Sequence, residues 1–236
     1  MQDSRVPCNC DAIDGLLGGG FEPGVVTQIY GASGTGKTNI CIQLAVETVK
    51  RGFKVVYIDT EGFSAERFRQ IAGERAEEVA RDIIIFEPAS FEEQHSTIQE
   101  AARILDSSSG RVGLVILDSA ALFYRLQEGE GIELVRELAA QIGSLHRIAR
   151  RHGIPVLITN QVYTDPETGE LRPVGGNAIE HISKVILKLE SVGDGKRRIY
   201  IKKHRSRPEG VFGEFQITGR GLEGISAGDR ECVAVG

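Results

Sequence analysis

Apolar and polar residues along this chain switch between two periods. Short, dense apolar runs alternate with longer stretches in which apolar residues recur every three or four positions. The runs are VVTQIY at 25–30, FKVVYID at 53–59, DIIIF at 82–86, VGLVILD at 112–118 and IPVLIT at 154–159. Between them lie predicted helices: Lys37 to Arg51, stopped by Gly52; a segment capped by Ser64; Phe91 to Leu105, broken by Ser107-Ser108-Ser109-Gly110; and Ile132 to His152. VGLVILD is apolar almost throughout, as a strand buried on both faces should be. Repeated strand–helix–strand units predict an α/β fold with a mostly parallel twisted sheet flanked by helices.

The pattern changes after residue 160. A polar stretch, 161–178, holds Asp165-Pro166, Gly169, Pro173 and Gly175-Gly176. KVILKLE at 184–190 and RRIYIKK at 197–203 then flank Gly193-Asp194-Gly195, a hairpin signal, and GEFQI at 213–217 can add a further strand. The last third therefore reads as an antiparallel C-terminal extension of the sheet. No linker or internal repeat divides the chain, so residues 1–236 are expected to form a single domain.

Composition narrows the classes. Charged residues make up 26% and hydrophobic ones 41%, which suits a globular chain, and the net charge of −5 excludes a bulk polycation. No apolar run is long enough to span a membrane, and the first residues lack the apolar core of a secretory signal, so the expectation is a cytoplasmic protein. Cys8, Cys10, Cys41 and Cys232 show no C-x-x-C spacing. Cys41 reads as a small core residue. For Cys8 and Cys10, pairing or metal binding stays open.

The chemistry sits at strand ends. Gly31, Ala32, Ser33, Gly34, Thr35, Gly36, Lys37 and Thr38 fit G-x-x-x-x-G-K-[ST], after a predicted strand and at the start of a predicted helix. Such a loop turns successive N–H groups toward the phosphates of ATP, with the helix N-terminus behind them. Lys37 would reach the β/γ-phosphates, and the Thr38 hydroxyl would ligate Mg²⁺. Asp118, ending VGLVILD, is the second candidate Mg²⁺ ligand. Asp59-Thr60-Glu61 ends the strand after the loop's helix. Glu61 is the candidate base for an attacking water, and Asp59 is the alternative base or a cap. Gln161, after Thr159-Asn160, can donate to a γ-phosphate and signal to the segment that follows.

In this order, Phe21-Glu-Pro-Gly24, the GASGTGKT loop, YIDTEG, LVILDS, ITNQV, RPVGGNAIEH and RPEGVFGEFQI resemble the RecA-like recombinases of archaea and eukaryotes, most closely the short archaeal paralogues. The resemblance spans about residues 11–225. It implies a RecA-like P-loop core acting in homologous recombination and DNA repair, with Glu61, Lys37 and Gln161 catalytic and Arg67 stacking on adenine. It places a second DNA-binding loop near 162–181; there the backbone amides of Gly175-Gly176 with Arg172 can grip single-strand phosphates and Tyr163 can stack on a base. It also matches 201–205 to a region that covers a neighbouring subunit's ATP. The match starts almost at the core, so the helical DNA-binding domain that precedes it in the full recombinases is not expected here. Phe86-Glu-Pro-Ala89 matches the family's subunit-recruiting motif by letter alone; it follows an internal strand and reads as structural. The first DNA loop is left only a short stretch, Tyr124 to Gly131. A monomer or weak homo-oligomer, with weak DNA-dependent ATPase activity, that assists the main recombinase is expected.

Charge returns to the picture here. Residues 196–207, KRRIYIKKHRSR, carry +7 without an acid, so the rest of the chain carries −12. Lys196, Arg197, Arg198, Lys202, Lys203 and Arg205 are candidates to grip the backbone of single-stranded DNA, with double-stranded DNA as a further partner. The other readings are ATP contact across an interface and a solvated basic edge strand. Two rival functions are a KaiC-like signalling ATPase or autokinase and a protein-docking scaffold held in shape by ATP.

Overall fold

The computed structural model describes residues 5–108, 111–127, 132–169 and 171–225. Its centre is a nine-stranded sheet. The first strand, β1 (Val26–Gly31), lies mid-sheet, buried along its whole length. It feeds the helix α2 (Lys37–Lys50), which follows the short N-terminal helix α1 (Asp11–Leu17) in numbering. The strands β2 (Lys54–Asp59), β3 (Ile83–Phe86), β4 (Val112–Asp118) and β5 (Val156–Asn160) complete the parallel part. Between them lie α3 (Ala65–Ala72), a 3-10 turn at 73–75, α4 (Ala76–Ala80), α5 (Phe91–Ser107), α6 (Leu122–Leu126) and α7 (Ile132–His152). The Ser64 side chain accepts the Arg67 N–H at 3.2 Å, as the sequence predicted for a cap.

After residue 160 come the small hairpin β6 (Val162–Thr164) and β7 (Leu171–Pro173), the helix α8 (Gly176–Ile182), and strands β8 (Val185–Gly193), β9 (Lys196–Lys203), β10 (Phe212–Thr218) and β11 (Gly221–Gly224). The sheet order is β11-β10-β9-β8-β1-β5-β4-β2-β3. The antiparallel extension begins one strand later than expected. β8 runs parallel to β1, with Ile29 opposite Leu187, because α8 intervenes and returns the chain to the same sheet end. The β8–β9 hairpin turns on Asp194 and Gly195, both at positive φ (47° and 73°), as a tight two-residue turn demands. β3 is not internal to the sheet: it forms the outer edge, and its residues are only partly covered.

Helices cover both faces of the parallel part. On one side, Ile13, Leu16, Ile40, Leu44, Phe68 and Val79 pack on Ile29, Tyr57, Ile116, Leu187, Ile199 and Phe215. On the other, Ile98, Leu105, Leu138, Leu145 and Ile179 pack on Val26, Val56, Val115 and Ile158. Cys8, Cys10 and Cys41 are free thiols buried in the first core. Among the described residues no helix is long and apolar enough to cross a membrane.

Candidate functional site

The parallel strands β1, β2, β4 and β5 all end on one side of the sheet, and each carries a functional residue there. The phosphate loop leaves β1. Lys37 is nearly buried, and its Nζ donates to the carbonyls of Gly31 (2.9 Å) and Ala32 (3.1 Å). Burial lowers its pKa, while Glu61 and Asp118 oppose that shift. Gly31 leaves no room for a side chain: an added Cβ would lie 2.3 Å from the Leu189 carbonyl oxygen of β8. Thr35 closes the loop by donating to Ala32 O at 2.8 Å.

Asp118 is buried at the end of β4 and is surrounded by donors. Tyr57 Oη donates to its Oδ2 at 2.9 Å, Thr159 Oγ1 donates to its Oδ1, and Thr38 bonds to it as well. Burial raises the Asp118 pKa, and these three donors pull it back. The carboxylate thus lies beside the Thr38 hydroxyl, so the two expected Mg²⁺ ligands meet. The Asp118–Ser119 peptide bond is cis.

Asp59 and Glu61 separate into two roles. Asp59 is buried, and its Oδ2 accepts the Gly62 N–H at 2.9 Å, so of the two readings open for it the structure shows the cap. Burial, with Asp118 beside it, pushes its pKa up to about 6. Glu61 is exposed and faces the site. Ser119 Oγ and Gln161 Nε2 both donate to its Oε1, at 2.7 and 2.8 Å. Arg125 Nη1 in turn donates to Gln161 Oε1 at 2.7 Å.

Arg67, on α3, is held against α2 and the β10–β11 turn. It donates to Asn39 Oδ1, to Gln70 Oε1 at 2.9 Å and to the Thr218 carbonyl at 2.8 Å. It stands beside the first turn of the phosphate-loop helix, where a base attached to bound phosphates would extend.

The predicted DNA residues are not gathered in one place. Arg172 pairs with Asp165 at 2.8 Å within the β6–β7 hairpin, directly across from the exposed Tyr163. Gly175, in left-handed conformation, and Gly176 open α8. Strand alternation scatters the basic block. Arg198 pairs with Glu214 (2.5 Å) and lies over the Phe212 ring. Lys202 pairs with Glu209 (2.9 Å) and Arg205 with Glu22 (2.8 Å). Lys203 Nζ donates to the Glu180 carbonyl (2.6 Å). Arg197 reaches Gly34 O of the phosphate loop at 3.3 Å. Residues 196–207 therefore do not form a single basic face, because successive residues of β9 point to opposite sides of the sheet and Arg205, beyond its end, turns to Glu22. Lys196 lies in the sheet, opposite Gln216 of β10.

Sequence reasoning missed Asn39, Tyr57, Ser119 and Arg125, and saw in Thr159 only a strand terminus. Each acts across strands or helices, and only Ser119 and Thr159, next to recognised strand ends, carried a local signal.

A glycine loop leaving the central strand, a lysine and threonine opening the next helix, and a carboxylate ending β4, one strand beyond β5, have the arrangement of a P-loop core, and the mostly parallel sheet with its antiparallel C-terminal strands is that of the RecA-like class. The comparisons agree. The Rad51 family model matches residues 4–225. A DNA repair and recombination protein RadB from Methanococcoides burtonii is 56% identical over 91% of this chain and 95% of its own length. The RadB of Methanoculleus marisnigri is 45% identical over 95% of this chain and 100% of its own. A crystal structure of a RadB recombinase superposes with a TM-score of 0.82 at 38% identity, covering 94% of this chain and 100% of that one. The chain belongs to the Rad51 family, and the relatives named above are RadB proteins.

Proposed function

We propose that this chain is an ATP-binding, weakly hydrolysing and DNA-binding accessory protein of homologous recombination and DNA repair, which works in the cytoplasm as mediator or regulator of the main RecA-like recombinase. The recombination setting rests on the family and on the relatives' names. The observation that supports the ATP reading is the convergence of Lys37, Thr38, Glu61, Asp118 and Gln161 at adjoining strand ends. A hydroxyl and a carboxylate side by side are the hard oxygen donors that Mg²⁺ takes, so Thr38 and Asp118 fit that ion. When bound, it would neutralise phosphate charge.

The chain's own residues divide the remaining work. The phosphate-loop N–H groups and Lys37 hold the phosphates. Arg67 covers the base. Glu61 keeps Oε2 for the proton of the attacking water, since its two donors occupy Oε1. Gln161 reports the γ-phosphate to the 162–181 segment, where Tyr163 stacks on a base and Arg172, Gly175 and Gly176 hold backbone phosphates. Lys196, Arg197, Arg198, Lys202, Lys203 and Arg205 add a second, divided contact. A monomer or weak homo-oligomer suffices for this role.

The test is single-strand binding followed by fluorescence anisotropy with ATP, with ADP and without nucleotide, for wild type and Lys37→Ala, across a salt series. ATP should tighten binding, Lys37→Ala should remove that effect, and rising salt should weaken binding steeply. Equal affinity under all three nucleotide conditions would overturn the proposal.

A further inference from the structure

Gln161 is gripped at both ends of its amide. Arg125 donates to its oxygen at 2.7 Å, and its nitrogen donates to Glu61 at 2.8 Å. A guanidinium only donates and an ionised carboxylate only accepts, so both bonds form in just one orientation of the amide. An unclamped glutamine turns its terminal amide over at little cost, because that last torsion is broad. Turned over, it would present a carbonyl oxygen to a γ-phosphate, and oxygen would face oxygen.

Arg125 reaches this point from an anchored element. α6 has five residues, and Phe123 and Tyr124 pack it on the second core, where the Tyr124 ring meets Phe91 at 6.4 Å. The Arg125 side chain itself is exposed. A side chain in solvent gains little from a single neutral acceptor at its own expense of entropy. Its contact with Gln161 is therefore better explained by what it does to Gln161 than by stability.

We propose that Arg125 is a positioning residue for ATP hydrolysis: by holding the Gln161 carbonyl it turns the Gln161 NH₂ toward Glu61 and the phosphate end of the site. This role rests on the ATP reading above. Arg125 acts only through Gln161, so its loss should cost turnover and leave ATP affinity almost unchanged.

The experiment measures kcat and KM for ATP in wild type, Arg125→Ala, Arg125→Lys, Gln161→Ala and the double variant Arg125→Ala/Gln161→Ala. Arg125→Ala should lower kcat about tenfold, the scale of one lost hydrogen bond to a charged group, with KM within about twofold. Arg125→Lys, which keeps a donor but loses the planar fork, should fall between. The double variant should be no slower than Gln161→Ala alone, because both remove one unit. In nitrogen-edited NMR without nucleotide, the Gln161 side-chain amide, identified by its loss in Gln161→Ala, should shift in Arg125→Ala. Additive losses, a loss confined to KM, or an unmoved amide resonance would overturn the role. A wild type that neither binds nor turns over ATP, with the amide still shifting, would instead overturn the ATP reading beneath it.

Discussion

Removing one buried hydroxyl tests the centre of the site. Tyr57→Phe deletes the Oη that donates to Asp118 at 2.9 Å and changes no carbon position. The ring stays in the core, edge-on to Phe63 at 5.3 Å and 84°, so apolar burial is unaffected. The loss is therefore one hydrogen bond to a carboxylate that water does not reach, and Asp118 keeps Thr159 and Thr38 as donors. A bond of this kind contributes about 2 kcal/mol, twice a neutral one. With a urea slope of about 3 kcal/mol/M, at the upper end for small domains, the unfolding midpoint should fall by about 0.7 M with an unchanged slope. In an Asp118→Asn background the carboxylate is gone, and the same substitution should cost only about 1 kcal/mol. Urea titrations of the four proteins at neutral pH measure both numbers. A Tyr57→Phe loss below about 0.5 kcal/mol, the usual size for an uninvolved site, would refute the reasoning. So would an equal loss in both backgrounds.

Two further outcomes follow from the same strand ends. The Asp59 pKa is raised from 3.8 to about 6 by burial, with Asp118 adding to it. The native state thus binds more protons than the unfolded chain between those values, and this group's contribution to stability falls as pH rises through that window, by about 3 kcal/mol in all. Asp59→Asn keeps an acceptor for Gly62 and should flatten that part of the curve; parallel stability–pH curves for the two proteins would contradict it. Gly31→Ala should destabilise by at least about 2 kcal/mol, since its Cβ would meet Leu189 backbone 2.3 Å away, with no side chain to give. Gly34→Ala meets nothing within 4 Å and pays only for its positive φ of 75°, about 1 kcal/mol, so thermal melts should rank the two in that order.

What the sequence made legible was whatever is written locally. The apolar runs located β1, β2, β4 and β5 to within a residue or two, because buried parallel strands need such runs. The phosphate loop, Asp118, Glu61 and Gln161 were readable because each sits beside a recognisable strand end. The direction of β8 was not, because it is decided by where α8 delivers the chain, and α8 lies in a polar Gly/Pro-rich stretch with little apolar periodicity. Tyr57 reads as one more apolar strand residue; only the pairing of β2 with β4 puts its hydroxyl on Asp118. Arg125 is one of many surface arginines until α6 is folded against Phe91.

The basic block shows the converse, a strong local signal that tertiary structure redistributes. Seven cations in twelve residues suggested one surface with the full counterion effect. In the fold, three are committed to carboxylates on neighbouring elements and two to backbone carbonyls, one of them in the phosphate loop itself. An exposed ion pair is weak and can be exchanged for a nucleic-acid phosphate, but the exchange returns a carboxylate to solvent beside the DNA. Each such contact then gives less affinity than a free lysine would. Under the proposed DNA reading, discrimination should therefore come from Tyr163 and the α8 glycines rather than from the segment where charge is most concentrated, and Arg172, paired with Asp165, is weakened by the same exchange as the basic block.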